Sequence, residues 1–279
     1  MLEILLINFA WTFEFGDLIY LQIIWVIGAG MIIMSAFVYL PKSLIWFFAL
    51  LILLGHNLSD MLPVNFFDSG LALYNVLRGT GPIDWFASEL YVEYPILPWF
   101  AVMLLGFLAG DLYRLDATRR STWLFVIGFL LILGFLLLRV FNGYGDPDPW
   151  SLQMEPVRGL MSFLNAEKYP PSIIYVLMTL GPALVLAVLE RINSKLLKPL
   201  IHFGRVPLFF YLSHLYLAHG LVALIGAYFA DIWRYHPVQG LSLPGVYLLW
   251  ILTLVMLYPL CFFYGRIKHS RRYKILSFL

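Results

Sequence analysis

Cysteine is nearly absent: Cys261 is the single one in 279 residues, so no disulfide can close within one chain. No Cys/His spacing of the kind that builds a metal site occurs, so no metal is expected. Charge is scarce as well, at 12% of residues, while 62% are hydrophobic. Soluble domains hold about 45–50% apolar residues, so a soluble globular domain is excluded and an integral membrane protein indicated. The net charge of +2 gives no reason to expect nucleic acid, and in a membrane protein placement outweighs the sum. The start, "MLEILLINFAW", has Glu3 and neither a basic n-region nor a small-residue cleavage site; it does not read as a signal peptide. No internal repeat and no low-complexity tract appears. One membrane domain over 1–279 is the economical count, with 266–279 as a basic cytoplasmic tail.

Seven stretches are long and apolar enough to cross about 30 Å of hydrocarbon: roughly 18–40, 43–59, 95–113, 121–141, 171–190, 206–229 and 243–265. Backbone groups cannot stay unpaired in lipid, so each is expected to be α-helical. Residues 1–12 read as the tail of a further helix too short to span. The expected fold is all-α: a polytopic integral membrane helix bundle of about seven transmembrane helices plus a partial N-terminal helix. Aromatics, at 18% with nine Trp, suit belts at both interfaces.

Lysine and arginine are unevenly shared between the two sets of ends. One set holds Lys42, Arg114, Arg119, Arg120, Arg191, Lys195, Lys198, Arg205 and the five of "RIKHSRRYK", thirteen in all. The other holds five: Arg78, Arg139, Arg158, Lys168 and Arg234. The richer side is expected to be cytoplasmic, with the C-terminus inside. The segments 60–94 and 142–170 then face outward. Both mix Gly, Pro and Asn turn signals with Trp, Phe and Tyr, which suits loops folded back on the membrane as a lid over an outward cavity.

Ionisable groups at membrane depth cost roughly 2.5–3.5 kcal/mol on insertion scales and so need a partner or a job. In "GHNLSD", His56 and Asp60 are four apart and would share a helix face, with Asn57 beside them. A carboxylate on an imidazole fixes its tautomer, as a general base requires; a plain helix end, with Asp60 solvated and His56 satisfied by a neighbour, is the competing reading. In "GRVPLFFYLSHLYLAHG", Pro207 suits a first helical turn, which places His214 about 11 Å and His219 about 18 Å along the axis. Tyr211 and His214 share a face. His214 and His219 point about 140° apart and are not expected to line one narrow groove, so His219 is the more structural of the two.

Further candidates read both ways. Arg139 and Asn142 close the fourth span before "GYGDPDPW", with Asp146 inside it; they could hold a polar substrate or pin the loop. Lys168 and Tyr169 precede Pro170 and Pro171 and could be interfacial anchors. His202 and Arg205, with Lys195 and Lys198 near, form a basic mouth on the cytoplasmic side, suited to the phosphates of a nucleotide-bearing cofactor or to anionic lipid.

"INFAWTF", "GHNLSD", "YPILPWFAVMLLGFLAGDLY", "LRVFNGYGDPDPW", "FLNAEKYPPSIIYVLMTLGPAL" and "FGRVPLFFYLSHLYLAHG" follow one another in a familiar order. Over nearly its whole length the chain resembles bacterial membrane proteins of the heparan-alpha-glucosaminide N-acetyltransferase-like family. The resemblance implies transfer of an acetyl group from cytoplasmic acetyl-CoA, across a bacterial inner membrane, to a hydroxyl or amine of a sugar or amino sugar. It further implies His56 or His214 as the base that deprotonates the acceptor, with Asp60 orienting His56. Asn57 and Tyr211 would hydrogen-bond the acyl carbonyl or the acceptor, and Arg205 would face the CoA phosphates. From their placement in the sequence alone, Arg139, Asn142, Asp146 and Lys168 are the substrate-side candidates, and His202 accompanies Arg205 as a cofactor-binding candidate.

Relatives usually carry further N-terminal helices with an Arg-Gly motif and an Asp-His pair. Here Arg158-Gly159 lies in an outward loop and is no substitute. The chain is therefore expected to be the C-terminal portion of the family domain, with three alternatives open: a truncated or mis-started fragment, a chain completed by an N-terminal segment or a second copy, or one that has lost the chemistry. Two other classes compete: a transporter or flippase-like protein for a lipid-linked sugar, and a non-catalytic membrane scaffold. Transporters often show paired repeats; the lack of any here counts against transport.

Overall fold

The computed structural model describes residues 2–14, 16, 18–63, 66, 67, 70–85, 88–188, 195–228 and 241–269. The chain is an all-α membrane helix bundle with a minor sheet. Its contacts fall into two compact units, Gly16–Ile192 and Met1–Phe15 with Asn193–Leu279.

The larger unit opens with strand β1 (Leu18–Leu21) and helix α2 (Ile23–Phe37), following the short α1 (Asn8–Thr12) of the other unit. The first expected span thus does not begin as a helix. "LIYL" is β-branched and aromatic, and its backbone groups are satisfied in parallel pairing with β3 (Ser88–Val92), so the helical rule for unpaired backbone does not apply to it. β3 also pairs antiparallel with β2 (Gly81–Trp85), giving the order β1-β3-β2. Between them lie α3 (Lys42–Gly55), which tightens into a 3₁₀ turn over His56–Met61, and α4 (Leu71–Leu77). Then come α5 (Ile96–Ala109), α6 (Ala117–Phe141), α7 (Pro156–Leu164) and α8 (Ile173–Leu186).

Apolar residues at helical spacing build the core. Ile96, Phe100, Leu104 and Leu108 form an i, i+4 stripe on α5 that meets Ile45 and Ala49 of α3. A second cluster joins Leu53 and Ala101 to Phe135 of α6 and to Ile173, Ile174, Val176 and Leu177 of α8. Asp116 caps α6 by accepting from the Thr118 and Arg119 amides at 3.1 and 3.0 Å, and these bonds, foremost that from Arg119, hold its carboxyl below the usual aspartate range. The helix ends at Asn142 in the left-handed region, φ 55°.

In the smaller unit, a π-helical turn (Glu3–Ile7) runs into α1, and α9 (Lys198–Gly204), α10 (Pro207–Tyr228) and α11 (Leu243–His269) follow. Phe209 of α10 stacks on Tyr264 of α11 at 4.1 Å, around buried Val206, Leu257 and Cys261. Of the basic tail 266–279, residues 270–279 lie outside the described residues.

Among the described residues, five helical segments are long and apolar enough to cross a membrane: Lys42–Met61, Ile96–Arg114, Ala117–Phe141, Pro207–Gly226 and Leu243–Lys268. Two expected spans, now α2 and α8, are apolar but hold only 15 and 14 residues.

Candidate functional site

At Gly55 the α-helix gives way to a 3₁₀ turn, in which residues three apart eclipse. Asn57 consequently stands over Asp60, and its Nδ2 donates to Asp60 Oδ2 at 2.7 Å. Four residues of 3₁₀ helix leave two side chains about 120° apart, so the expected Asp60–His56 hydrogen bond does not form. Asp60 instead accepts from Arg78 Nη2, at 2.8 Å to Oδ1 and 2.9 Å to Oδ2. Arg78 Nε donates to the His56 carbonyl at 2.7 Å, tying the end of α4 to the end of α3. Asn57 Oδ1 accepts from the Ile173 amide at 2.9 Å, one of the amides that a helix start leaves without an intrahelical acceptor. Both ends of the Asn57 amide are therefore spent on holding α3, Asp60 and α8 together.

His56 itself is 7% exposed, and both its ring nitrogens are buried without a hydrogen-bond partner. It lines a cavity of about 440 Å³. Arg78 lines the same cavity; it is 4% exposed, and its Nη1 is buried and unpartnered. The remaining wall is mostly apolar, from Phe67, Leu73, Tyr74, Leu77 and Leu97, with Phe67 stacked on Tyr74 at 4.1 Å. Beside it the Tyr144 hydroxyl donates to the Leu54 carbonyl; burial, and secondarily the Asp60 charge, pushes this phenol up. A buried imidazole with two unpartnered nitrogens and a guanidinium with an unpartnered Nη1 can move a proton and hold an oxygen in a mostly apolar pocket.

Arg139, Asn142 and Asp146 come together, and what they hold is chain. Arg139 is 1% exposed. Its Nε donates to the Phe163 carbonyl at 2.9 Å, Nη1 to that of Asp148 at 3.0 Å, and Nη2 to those of Ser162 and Asn165 at 3.0 and 2.6 Å. Asp146 Oδ1 lies 3.9 Å from Nη1, while Oδ2 accepts from the Glu167 amide and the Ser172 hydroxyl, each at 2.9 Å. Asn142 exchanges two hydrogen bonds with the Trp150 backbone. Of the two readings open for this cluster, the geometry is that of a pinned loop.

Lys168 sits with its ammonium 4.6 Å from the Tyr169 ring centroid and 5.9 Å from that of Tyr94. Nearby Glu93 has its carboxyl raised above the usual range by burial, against the opposing pull of Lys168 and a Gln22 hydrogen bond.

In the smaller unit, His214 Nδ1 meets the Tyr211 carbonyl at 2.5 Å and His219 Nδ1 meets that of Ala10 at 2.9 Å. Both histidines line one cavity of about 370 Å³, with Trp11, Leu215, Ala218 and Val222. The expectation that they could not share a groove is corrected: the cavity follows the broad α10 face turned to α1, which takes in both directions. His219 also stacks on Phe13 at 4.3 Å, as a bridge between helices. His202 packs edge-on against Phe262 and Tyr258 of α11. Arg205 is exposed.

Arg78 was missed as a site residue and figured only as an outward charge. The available signal was its isolation: it is the one basic residue in 60–94, among Asp60, Asp68, Asp84, Glu89 and Glu93.

Apolar helices long enough to cross a bilayer indicate an integral membrane protein, and a cavity lined by His56 and Arg78 lies at the end of one of them. Residues 3–140 match the family model described as heparan-alpha-glucosaminide N-acetyltransferase, catalytic. Over that stretch, which contains His56, Asp60, Arg78 and Arg139, the chain is similar to the heparan-alpha-glucosaminide N-acetyltransferase-like acyltransferase family. Lys168, His202, Arg205, Tyr211 and His214 lie beyond it. No curated protein and no solved structure matches the chain.

Proposed function

We propose that the protein moves an acetyl group from acetyl-CoA to a hydroxyl or amine of a sugar or amino sugar, with His56 as the general base. The observation that carries this reading is the buried imidazole with both nitrogens open, facing a cavity within the stretch matched by the acyltransferase family. The acceptor's lone pair attacks the thioester carbonyl carbon as His56 takes its proton. The carbon–sulfur bond then breaks, and the leaving sulfur receives that proton. Asp60 acts through Arg78 and Asn57. Arg205 and His202, at the basic end of the smaller unit, are assigned to the CoA phosphates, and His214 with Tyr211 remains the second candidate for proton transfer. The excess of Lys and Arg on one side supports a cytoplasmic C-terminus in a bacterial inner membrane.

The test is acetyl transfer from radiolabelled acetyl-CoA to glucosamine by the full chain in lipid vesicles. His56→Ala is expected to lower the rate by about 10²–10⁴-fold, the usual contribution of a positioned base, with unchanged unfolding temperature. Wild-type rates in both His56→Ala and His214→Ala sink the assignment. Uptake of glucosamine without acetylation replaces it with transport.

A further inference from the structure

A guanidinium has five N–H donors, and those of Arg78 divide unequally. Nε is used on the His56 carbonyl and Nη2 on both Asp60 oxygens. Nη1 has nothing, although it is buried and Arg78 lines the 440 Å³ cavity. Leaving donors of a charged group unsatisfied in a buried place is costly. Such a cost is accounted for where a ligand oxygen takes the bond. The kind of oxygen follows from the charge already present: the Asp60 carboxylate at 2.8 Å compensates the guanidinium. A full second anion, such as a carboxylate or phosphate, would thus find little net positive charge. A neutral carbonyl oxygen that gains charge only during reaction suits the two free donors, and the apolar wall from Phe67, Leu73, Leu77 and Leu97 favours such an acceptor over water.

We infer that Arg78 Nη1 is the carbonyl-oxygen site of this cavity, donating to the acyl oxygen of the acyl donor and more strongly to the oxyanion formed from it. The inference rests on the transfer reaction proposed above and gives that reaction a second catalytic residue. As the acceptor bonds to the carbonyl carbon and His56 takes its proton, the π pair of the C=O moves onto oxygen, where Nη1 holds it. When that pair returns, the carbon–sulfur bond breaks and the sulfur leaves with the proton from His56. Donors fixed before the reaction are worth more to the developing charge than to the ground state.

The experiment compares wild type, Arg78→Lys and the double variant Asp60→Asn/Arg78→Gln, as full chains in vesicles, with acetyl-CoA and glucosamine. The double variant leaves neither charge stranded, so its unfolding temperature should stay near wild type. Its kcat should fall by about 10²–10³-fold, the range for loss of one oxyanion donor, while KM for acetyl-CoA stays roughly constant, as expected of an interaction made in the transition state. Arg78→Lys should fall similarly, because one ammonium cannot serve Asp60 and the acyl oxygen in the planar arrangement of the fork. A CoA ketone in which a methylene replaces the thioester sulfur supplies a readout without turnover. Its carbonyl stretch should drop in frequency on binding wild type and not on binding the double variant. Equal frequencies in both, equal kcat in both, or failure of the ketone to bind wild type each overturns the role of Arg78. A rate lost in His56→Ala but kept in the double variant removes Arg78 and leaves the transfer reading standing. Absence of any acetyl transfer by wild type removes that reading, and the infrared shift then decides alone whether Nη1 holds a carbonyl.

Discussion

Asp60 and Arg78, eighteen residues apart, form a salt bridge of 2.8 Å whose side chains are 17% and 5% exposed. The pair joins the end of α3 to the end of α4, so it shapes the cavity as well as balancing charge. Removing one partner of a buried pair strands the other charge and costs about 3–5 kcal/mol. Asp60→Ala and Arg78→Ala should each destabilise by about 3 kcal/mol on that basis, the solvent reaching Asp60 keeping the figure at the low end. Asp60→Ala/Arg78→Ala should cost about as much as either single variant, with a coupling of about 3 kcal/mol. Unfolding by titration with SDS in mixed micelles measures the cycle; additive effects contradict the pairing.

Arg139 supports a different expectation. Its bonds go to four backbone carbonyls between residues 148 and 165, so its loss leaves those carbonyls unsatisfied and loosens the loop. Arg139→Lys supplies charge without the planar fork and should rescue little of the roughly 3–5 kcal/mol lost in Arg139→Ala, the range for breaking a buried charged network. Limited proteolysis should cut between 148 and 165 in both. A variant that resists proteolysis like wild type but has a raised KM for acceptor would instead make Arg139 a substrate ligand.

Helices α6 and α8 touch through glycine. A Cβ on Gly128 would come within 2.7 Å of the Gly181 carbonyl oxygen, and one on Gly181 within 2.8 Å of Ile132 Cγ1 and 3.0 Å of its amide. Small residues allow such approach between membrane helices, and backbone cannot yield as a side-chain tip can. Gly128→Val or Gly181→Val should cost about 1–3 kcal/mol through overpacking. Gly134→Ala, whose Cβ would meet only Leu177 at 3.6 Å, should gain about 0.5–1 kcal/mol from reduced backbone entropy. The same micelle unfolding assay reads all three, and a stable Gly128→Val would refute the close crossing.

How much of this was legible depended on whether one periodicity held through a segment. Hydropathy located α10 and α11 to within a few residues, because Pro207 and long apolar runs mark them. It misread Leu18–Leu21, where a four-residue apolar strand and a helix start look alike. The relation of His56 to Asp60 failed for a finer reason: α-helical spacing was assumed across Gly55, where the turn tightens to 3₁₀. Arg78 was invisible as a partner because its bond to Asp60 spans a loop, a helix and eighteen residues of chain. Arg139 could be left open between substrate and loop, and only the four carbonyls around it decide its place.

Glu93 gives a pH dependence whose direction follows from its environment. Burial raises its carboxyl above the ordinary range, with Lys168 and Gln22 pulling the other way. A raised folded-state value means that the folded protein binds this proton more readily than the unfolded chain. The stabilisation is therefore complete below the ordinary carboxylate range and fades as pH rises through the raised value. Glu93→Gln, an uncharged stand-in for the protonated carboxyl, should remove that slope, so the wild-type unfolding midpoint should lie near the variant's at acid pH and fall progressively below it as pH rises across the mildly acidic range. Parallel curves would contradict a raised Glu93 carboxyl in the folded state.

His219 and His214 line the same cavity but are engaged differently, and the difference is measurable. His219 Nδ1 meets the Ala10 carbonyl at 2.9 Å and its ring stacks on Phe13, so it holds α1 to α10. Tyr216 adds a bond from its hydroxyl to the Leu6 carbonyl at 2.8 Å. His214 bonds within its own helix, to Tyr211. A hydrogen bond of about 1 kcal/mol and a ring contact of about 0.5–1.5 kcal/mol together correspond to roughly ten- to seventyfold in a local opening equilibrium. Amide hydrogen exchange over residues 3–12 should accelerate by about that factor in His219→Ala. In His214→Ala it should change much less, since no bond from residue 214 reaches α1. Equal acceleration in the two variants would mean that the cavity lining as a whole, and not the His219 bridge, keeps α1 in place.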